Sequence, residues 1–469
     1  MLTTLEILII IANIPLLVWH LLPVKRVPRF LDFMPLTSVI FLVIHLFIDN
    51  EPVRLRMIPL YIFTITMFLV TMSKIFNHNP NQPRRRAVTV IGRMFALFML
   101  SICVLIPTVV LPLKPLPEPT GNFNVGTVVL DFTDENRVET FSKEEGKSRK
   151  IAVQFWYPSD KTDSKILYDI SGAPISKSQK NYPVLIFSHG AFGMRMSNAS
   201  TFRELASHGY IVTSIDHTYQ AFYTAFEDGK GIPVNIDFLN TAIGVSRDGL
   251  PAEETFKITH DWLDLRTADI ELVIDSLKSE EFGRSGEFLK GHMDLTKIGL
   301  FGHSLGGAAS AQVSRERDDV KAAIIIDGTM IGDIIGLNRD KKEIITDKSF
   351  DKPLMLMYGS LFQEEEAKAT SYLPNINAFN NSTNAAYSLC IKGSGHLNFT
   401  DLPRISPFLA GMLGVGSIDS FKCIKIVNDY TLNFFDKHIK GQSSPLLDGS
   451  ASSNEIEFSK RVPNTVGKK

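Results

Sequence analysis

Four long apolar runs crowd the first 113 residues: Ile7 to Leu22, Phe33 to Ile48, Met57 to Met72 and Met94 to Leu111. They limit what the chain can fold into more than any other feature. A helix needs about 20 apolar residues to cross the hydrocarbon core of a bilayer, and roughly 17 at the least. The fourth run meets that length, and the first three reach it by recruiting flanking residues. Each is apolar on all faces rather than along one stripe, which does not suit a soluble amphipathic bundle. Residues 1–113 are therefore predicted to form about four transmembrane helices. The opening MLTTLE carries no Lys or Arg and no small-residue cleavage site follows, which favours a retained helix over a signal peptide. Asn13, His20 and His45 are polar groups inside the runs; they either face other helices or mark a path through the bundle.

Charge in the connections orients the bundle. Lys25, Arg26 and Arg29 follow the first run; Lys74, Arg84, Arg85 and Arg86 follow the third, with Arg93 able to reach back; the second connection has only Arg54 and Arg56. Positive loops stay inside, so both termini and the large C-terminal region are expected outside the cytoplasm. Formal charge over the chain is −1, which argues against the basic surface that nucleic acid draws on. Three cysteines, Cys103, Cys390 and Cys423, cannot make a disulfide framework. Cys390 and Cys423 pair if they meet, but burial as free thiols is the simpler reading. None has metal-ligand spacing, and no metal or other cofactor is expected.

A proline-rich stretch, residues 114–124, then breaks helix continuation and reads as an extended linker. Beyond it the pattern becomes short β-branched or apolar runs separated by amphipathic stretches. IAVQFWYP, PVLIFSHG, YIVTSID, KIGLFGHS, KAAIIID, PLMLMYG and AAYSLCI read as strands. STFRELASHG, THDWLDLRTADIELVIDSLK and LGGAASAQVSRER read as helices. That alternation predicts an α/β domain over 125–441, with a mostly parallel sheet covered on both faces and a polar tail over 442–469. Residues 217–258 are too long for an ordinary connection; they read as an insertion, either a lid over a site or a packed excursion with its own small core.

GHSLGG, residues 302–307, contains G-x-S-x-G. Its weight comes from context: an apolar run precedes it and a small-residue helix follows, the strand-turn-helix setting of a nucleophile elbow. Gly302 and Gly306 allow the tight turn that lifts Ser304 above the sheet. A serine hydroxyl needs a general base, and His396 follows a strand through KGSG, whereas His438 lies in a charged final helix. For the acid, Asp327 ends the run KAAIIID, while Glu364, Glu365 and Glu366 look like the solvated start of a helix. Asp327 is preferred. Backbone N–H groups of Leu305 and Ala191 are the candidate donors for an oxyanion, with His189 positioning the second loop.

IAVQFWYPS, FSHGAFG followed by RELASHGYIVTSIDH, GHSLGGA, IIIDGTM and GSGHLNFTD, in that order across about residues 125–440, resemble the platelet-activating factor acetylhydrolases and their bacterial relatives among the α/β-hydrolases. The resemblance implies an α/β-hydrolase fold, Ser304, Asp327 and His396 as a catalytic triad, and Ala191 with Leu305 as the oxyanion hole. It implies calcium-independent hydrolysis of a short or oxidised acyl ester on a phospholipid. Departures are DHTYQ at Asp216 to Gln220, the unalignable segment after it, and the four spans. The alternatives are an esterase for small non-lipid esters and an inactive hydrolase-fold binding module on a membrane anchor.

Overall fold

The computed structural model describes residues 2–19, 31, 33–48, 54–76, 86–160, 170–246, 249–280, 282–449 and 453–462. His20 and the orienting charges Lys25, Arg26, Arg29, Arg84 and Arg85 lie outside the described residues. The chain divides into two compact units, one of Met1–Pro115 with Leu402–Leu413, the other of Leu116–Asp401 with Gly414–Lys469.

In the first unit the four apolar runs are helices: α1 (Thr4–Trp19), α2 (Met34–Ile48), α3 (Ile58–Phe76) and α4 (Arg86–Leu105), the last continued by a π-helical turn over Ile106–Val110. Pro107 in that turn has no N–H to keep the α-helical ladder. Among the described residues one segment, Val90–Val110, is long and apolar enough to cross a membrane; the apolar parts of the other three helices are shorter. Large apolar side chains face outward, Phe47 and Phe76 being more than four-fifths exposed. Several polar groups turn inward and find partners there. Asn13 donates to the Ile9 carbonyl (2.9 Å) and to Thr64 Oγ1 (3.1 Å), and His45 Nε2 meets the Tyr61 hydroxyl at 2.7 Å. Arg54 lies 3.5 Å from the buried Glu6, and Arg56 donates to the carbonyls of Leu111 and Pro112 at 3.1 and 2.7 Å. The start of α1, the second connection and the exit of α4 thus share one end of this unit.

Two short helices, Leu402–Ile405 and Pro407–Met412, belong to the same unit. The N–H groups of Leu113 and Lys114 donate to the carbonyls of Ile405 (3.2 Å) and Arg404 (2.8 Å), and the Arg404 guanidinium donates to the Pro115 carbonyl. The proline-rich stretch is therefore held at its start rather than free. Prolines cannot donate, but their carbonyls remain strong acceptors.

The second unit is built on a ten-stranded sheet. Its strands are β1 (Asn124–Val138), β2 (Ser148–Ser159), β3 (Ile170–Ser171), β4 (Tyr182–Ser188), β5 (Ile211–Asp216), β6 (Met293–His303), β7 (Val320–Ile326), β8 (Leu354–Tyr358), β9 (Ala386–Ile391) and β10 (Ile456–Arg461), in the order β10-β9-β8-β7-β6-β4-β5-β2-β1-β3. From β9 through β5 every neighbouring pair is parallel; β2 joins β5, β1 joins β2 and β10 joins β9 antiparallel. Parallel strands need both faces covered, and these are almost wholly buried. Trp156, Phe187, Phe202, Phe301, Tyr430 and Phe435 join one face to α5 (Ala199–Ser207) and to the long helix Ser420–His438. On the other, Phe155, Ile186, Leu300, Ile270, Val273 and Val313 join it to α7 (Ala252–Ser279) and α8 (Leu305–Glu316).

All seven expected strands form. The other three, β1, β3 and β10, were not expected. β1 is antiparallel and half exposed, and β10 lies inside the segment read as a polar tail, where only Ile456 of IEFSKR is buried. An exposed edge strand with one buried residue leaves almost no hydrophobic signal. The insertion over 217–258 contains a small hairpin (Tyr223–Ala225 with Gly231–Pro233), α6 (Ile236–Ser246) and the first turns of α7. It has a small core of its own: Val234, Phe238 and Ala242 pack with Trp262, Phe192 and Ala191.

Candidate active site

β4, β6, β7, β8 and β9 all end on one edge of the sheet, and the singled-out residues lie there, where open parallel sheets bind ligands. Ser304 follows β6 and caps α8 with φ 53° and ψ −126°, a left-sided backbone that a non-glycine residue avoids unless its surroundings impose it. The neighbouring glycines show what imposes it. A Cβ on Gly302 would fall 2.3 Å from the Gly306 carbonyl oxygen, and one on Gly306 would fall 2.0 Å from that of Ser188. β6, its turn and β4 can approach this closely only without side chains there. The Ser304 N–H donates to the Ile326 carbonyl at 2.8 Å, fixing the turn to β7 as well.

Asp327 follows β7 and is buried, with φ 46°. Its Oδ2 lies 2.7 Å from His396 Nδ1, while Oδ1 accepts from the Gly359 N–H (2.9 Å) and the Tyr372 hydroxyl (3.1 Å). Burial raises the carboxyl's pKa, but the hydrogen bond and charge of His396 and the Gly359 N–H outweigh it, and Asp327 stays below the usual aspartate value. A carboxylate at that point makes Nδ1 the protonated nitrogen of His396 and leaves Nε2 with a lone pair. His396 itself is exposed and opens a 3-10 turn, His396–Phe399, in the connection after β9. Glu365 and Glu366 open a short helix, Glu365–Thr370, and His438 bonds to the Tyr387 hydroxyl at 3.2 Å. The Ser304 hydroxyl has no hydrogen-bond partner among the described residues; a bond from serine to histidine commonly tightens only when substrate closes the site.

The His303 ring packs at a tilt against the His396 ring, centroids 4.4 Å apart, and its Nε2 donates to the His396 carbonyl at 3.0 Å. Burial first, then the neighbouring His396, lower its pKa to about 3, so it is a neutral brace. On the other side of Ser304, a Cβ on Gly190 would lie 3.1 Å from the Ser304 Cβ, so the loop after β4 runs against the serine. His189 is buried there; its Nε2 accepts from the His217 N–H (3.3 Å), leaving Nδ1 to donate to the Gly190 carbonyl (2.6 Å). Among the described residues neither the Ala191 nor the Leu305 N–H meets an acceptor.

A second Ser-His-Asp series lies behind this loop. His217 Nε2 meets Ser188 Oγ at 2.8 Å and its Nδ1 meets Asp269 Oδ2 at 2.9 Å, all three fully buried. It is closed off from solvent and braced by charge. Arg149 grips Asp269 through Nη2 (2.6 Å) and Nε (3.1 Å) and Glu139 through Nη1 (2.6 Å), and Arg137 adds a bond to Asp269 at 2.6 Å. Burial raises the Asp269 pKa, but Arg149 and His217 pull it far below the usual range. Sequence patterns show no sign of this network, whose members lie on β1 and its exit, β2, β4, β5's exit and α7. Cys103, Cys390 and Cys423 are all free and buried.

Sheet order, elbow and the Asp327–His396 pair together define the α/β-hydrolase class. The comparisons with known proteins narrow it. The family model of platelet-activating factor acetylhydrolase, isoform II, matches residues 164–448. The chain belongs to that family. The platelet-activating factor acetylhydrolase of Bos taurus is 26% identical over 284 residues, which cover 56% of this chain and 58% of the bovine protein. That of Canis lupus familiaris is 24% identical over 365 residues, covering 69% and 77%. A probable 1-alkyl-2-acetylglycerophosphocholine esterase of Arthroderma benhamiae is 23% identical over 410 residues, covering 75% and 96%. Among solved structures, a ferulic acid esterase from Streptomyces cinnamoneus superimposes with a TM-score of 0.57 at 23% identity, over 74% of this chain and 99% of the esterase. At that identity the likeness speaks for the fold alone.

Proposed function

We propose that this chain is a serine carboxylic ester hydrolase that works through an acyl-enzyme on Ser304. The observation that carries the reading is the strained Ser304 turn on the same strand edge as the 2.7 Å bond between His396 Nδ1 and Asp327. Ser304 Oγ attacks the ester carbonyl and its proton passes to His396 Nε2, while the N–H groups of Ala191 and Leu305 hold the oxyanion. The carbon–oxygen bond to the alcohol breaks, and the departing alkoxide takes that proton. Water then attacks the acyl group, giving its proton to His396, and Ser304 leaves as the free hydroxyl. Asp327 keeps the imidazole in the required tautomer throughout.

The substrate is a short-chain or oxidised acyl ester of a phospholipid. Support comes from family membership and from a relative whose name specifies a 2-acetyl ester of a glycerophosphocholine. The four helices act as membrane spans, with the hydrolase unit outside the cytoplasm. Supporting the spans are the outward apolar faces, the inward polar pairs, and the gathering of Glu6, Arg54, Arg56 and the α4 exit at one end, as an up-and-down four-span bundle requires; the sidedness rests on the loop charges of the sequence. The test is a panel run with purified full-length chain and Ser304→Ala: 2-acetyl and 2-palmitoyl phosphatidylcholines in vesicles, and p-nitrophenyl acetate in solution. The expected result is turnover of the acetyl phospholipid well above the palmitoyl one, all lost in Ser304→Ala. Turnover of the soluble ester alone would mean a non-lipid esterase.

A further inference from the structure

Arg266, on α7, is fully buried, and its guanidinium makes no ion pair among the described residues. A charge removed from water at this cost is kept by what it holds. Its Nη1 donates to the His189 carbonyl, Nη2 to the Gly190 carbonyl at 3.4 Å, and Nε to Gln220 Oε1 at 2.8 Å. His189 Nδ1 and the Gly193 N–H (3.1 Å) meet the same Gly190 oxygen. The Gly190–Ala191 peptide is trans, so its carbonyl and its N–H point in opposite directions. Three donors drawing the Gly190 oxygen to the Arg266 side therefore turn the Ala191 N–H to the other side. Gly190 itself runs against Ser304, so closely that a Cβ on it would meet the Ser304 Cβ at 3.1 Å.

We infer that Arg266 is a positioning residue of the oxyanion hole: it clamps the His189 and Gly190 carbonyls, aims the Ala191 N–H at the oxyanion, and polarises both peptides with a fixed positive charge. The inference rests on the proposed ester hydrolysis at Ser304. One turn further along α7, Asp269 holds His217, which holds Ser188 at the root of the same loop. α7 thus fixes this loop at two points, by its carbonyls and by a side chain. Burial brings the Arg266 pKa down to about 9, with Asp269 opposing the fall, so the guanidinium keeps its charge at neutral pH.

A residue that only stabilises the fold would lower every activity alike. An oxyanion-hole residue discriminates, because the sulfur that replaces oxygen in a thionoester is a poor hydrogen-bond acceptor and gains little from the hole. The experiment therefore compares p-nitrophenyl acetate with its thionoester on full-length chain, Arg266→Met, Arg266→Lys and Ser304→Ala. Arg266→Met is expected to lose roughly 100-fold in kcat on the oxygen ester with KM little changed, and to lose much less on the thionoester, so the ratio of the two falls at least about tenfold. Arg266→Lys, whose ammonium serves one carbonyl at a time, is expected to lower the ratio by a smaller factor. The ratio does not depend on the folded fraction, so Arg266→Lys suffices if Arg266→Met folds poorly. A folded Arg266 variant with the parent ratio overturns the inference. Undiminished hydrolysis by Ser304→Ala would instead overturn the reading beneath it.

Discussion

The placement of the candidate residues Ser304, Asp327 and His396 is legible in the sequence because each sits where an apolar run stops at a turn, and strand ends are visible without knowing the sheet. The Arg266 clamp and the Ser188–His217–Asp269–Arg149 series are not legible: their partners lie tens of residues apart and meet only once β2, β4, β5 and α7 are packed. In the sequence, Arg266 and Asp269 look like the solvated charges of an amphipathic helix. At this scale Asp327→Asn is expected to lower kcat by about three to four orders of magnitude with KM little changed, because an amide cannot enforce the Nδ1–H tautomer. Steady-state kinetics on p-nitrophenyl acetate check it, and a loss under tenfold would remove Asp327 from the role. His303 gives a stability prediction. Its folded pKa is depressed from 6.5 to about 3, so between those values the unfolded chain binds a proton that the folded chain does not. Stability is therefore lost as pH falls through that window. In His303→Gln the pH slope of unfolding free energy should be shallower by up to about 1.4 kcal/mol per pH unit. An unchanged slope in denaturant titrations at pH 4 to 6 would contradict it.

Among the elements, the parallel strands announced themselves as short β-branched runs, whereas β10 hid because an edge strand buries little. It nevertheless pairs with β9 along its length, from Ala386 with Arg461 to Ile391 with Ile456, and β9 leads into the loop that carries His396. A chain ending at residue 452 is expected to expose the β9 edge, lower the thermal midpoint and aggregate; light scattering on heating reports it, and a midpoint equal to the parent's would refute it. The elbow is held by contact geometry. In Gly306→Ala the new Cβ meets two carbonyl oxygens, at 2.0 Å (Ser188) and 2.6 Å (His189). A loss of at least the roughly 1–3 kcal/mol of ordinary overpacking is expected, measured by denaturation in detergent. A variant as stable as the parent would mean that the β4–β6 approach is looser than these distances require.

For the whole molecule, the sequence shows one change of pattern near residue 114, whereas the chain divides into two compact units in which Leu402–Leu413 returns to the first. FLAGML there reads as one more apolar stretch, and nothing local says that its main chain bonds to Leu113 and Lys114. A chain begun at residue 116 strips those partners away. Limited proteolysis should then cut within 402–413 faster than in the full chain while the sheet stays protected; equal protection would show that the segment is held by other means. A hydrolase fold alone does not make an enzyme; a reactive Ser304 does. The most direct test of that reactivity is mass spectrometry of the full-length chain after reaction with a fluorophosphonate, run beside Ser304→Ala and His396→Ala. One phosphonyl adduct is expected, on the peptide containing Ser304, formed rapidly in the parent, slowly in His396→Ala and not at all in Ser304→Ala. An adduct on another residue, or an unreactive parent that nevertheless hydrolyses esters, would contradict it.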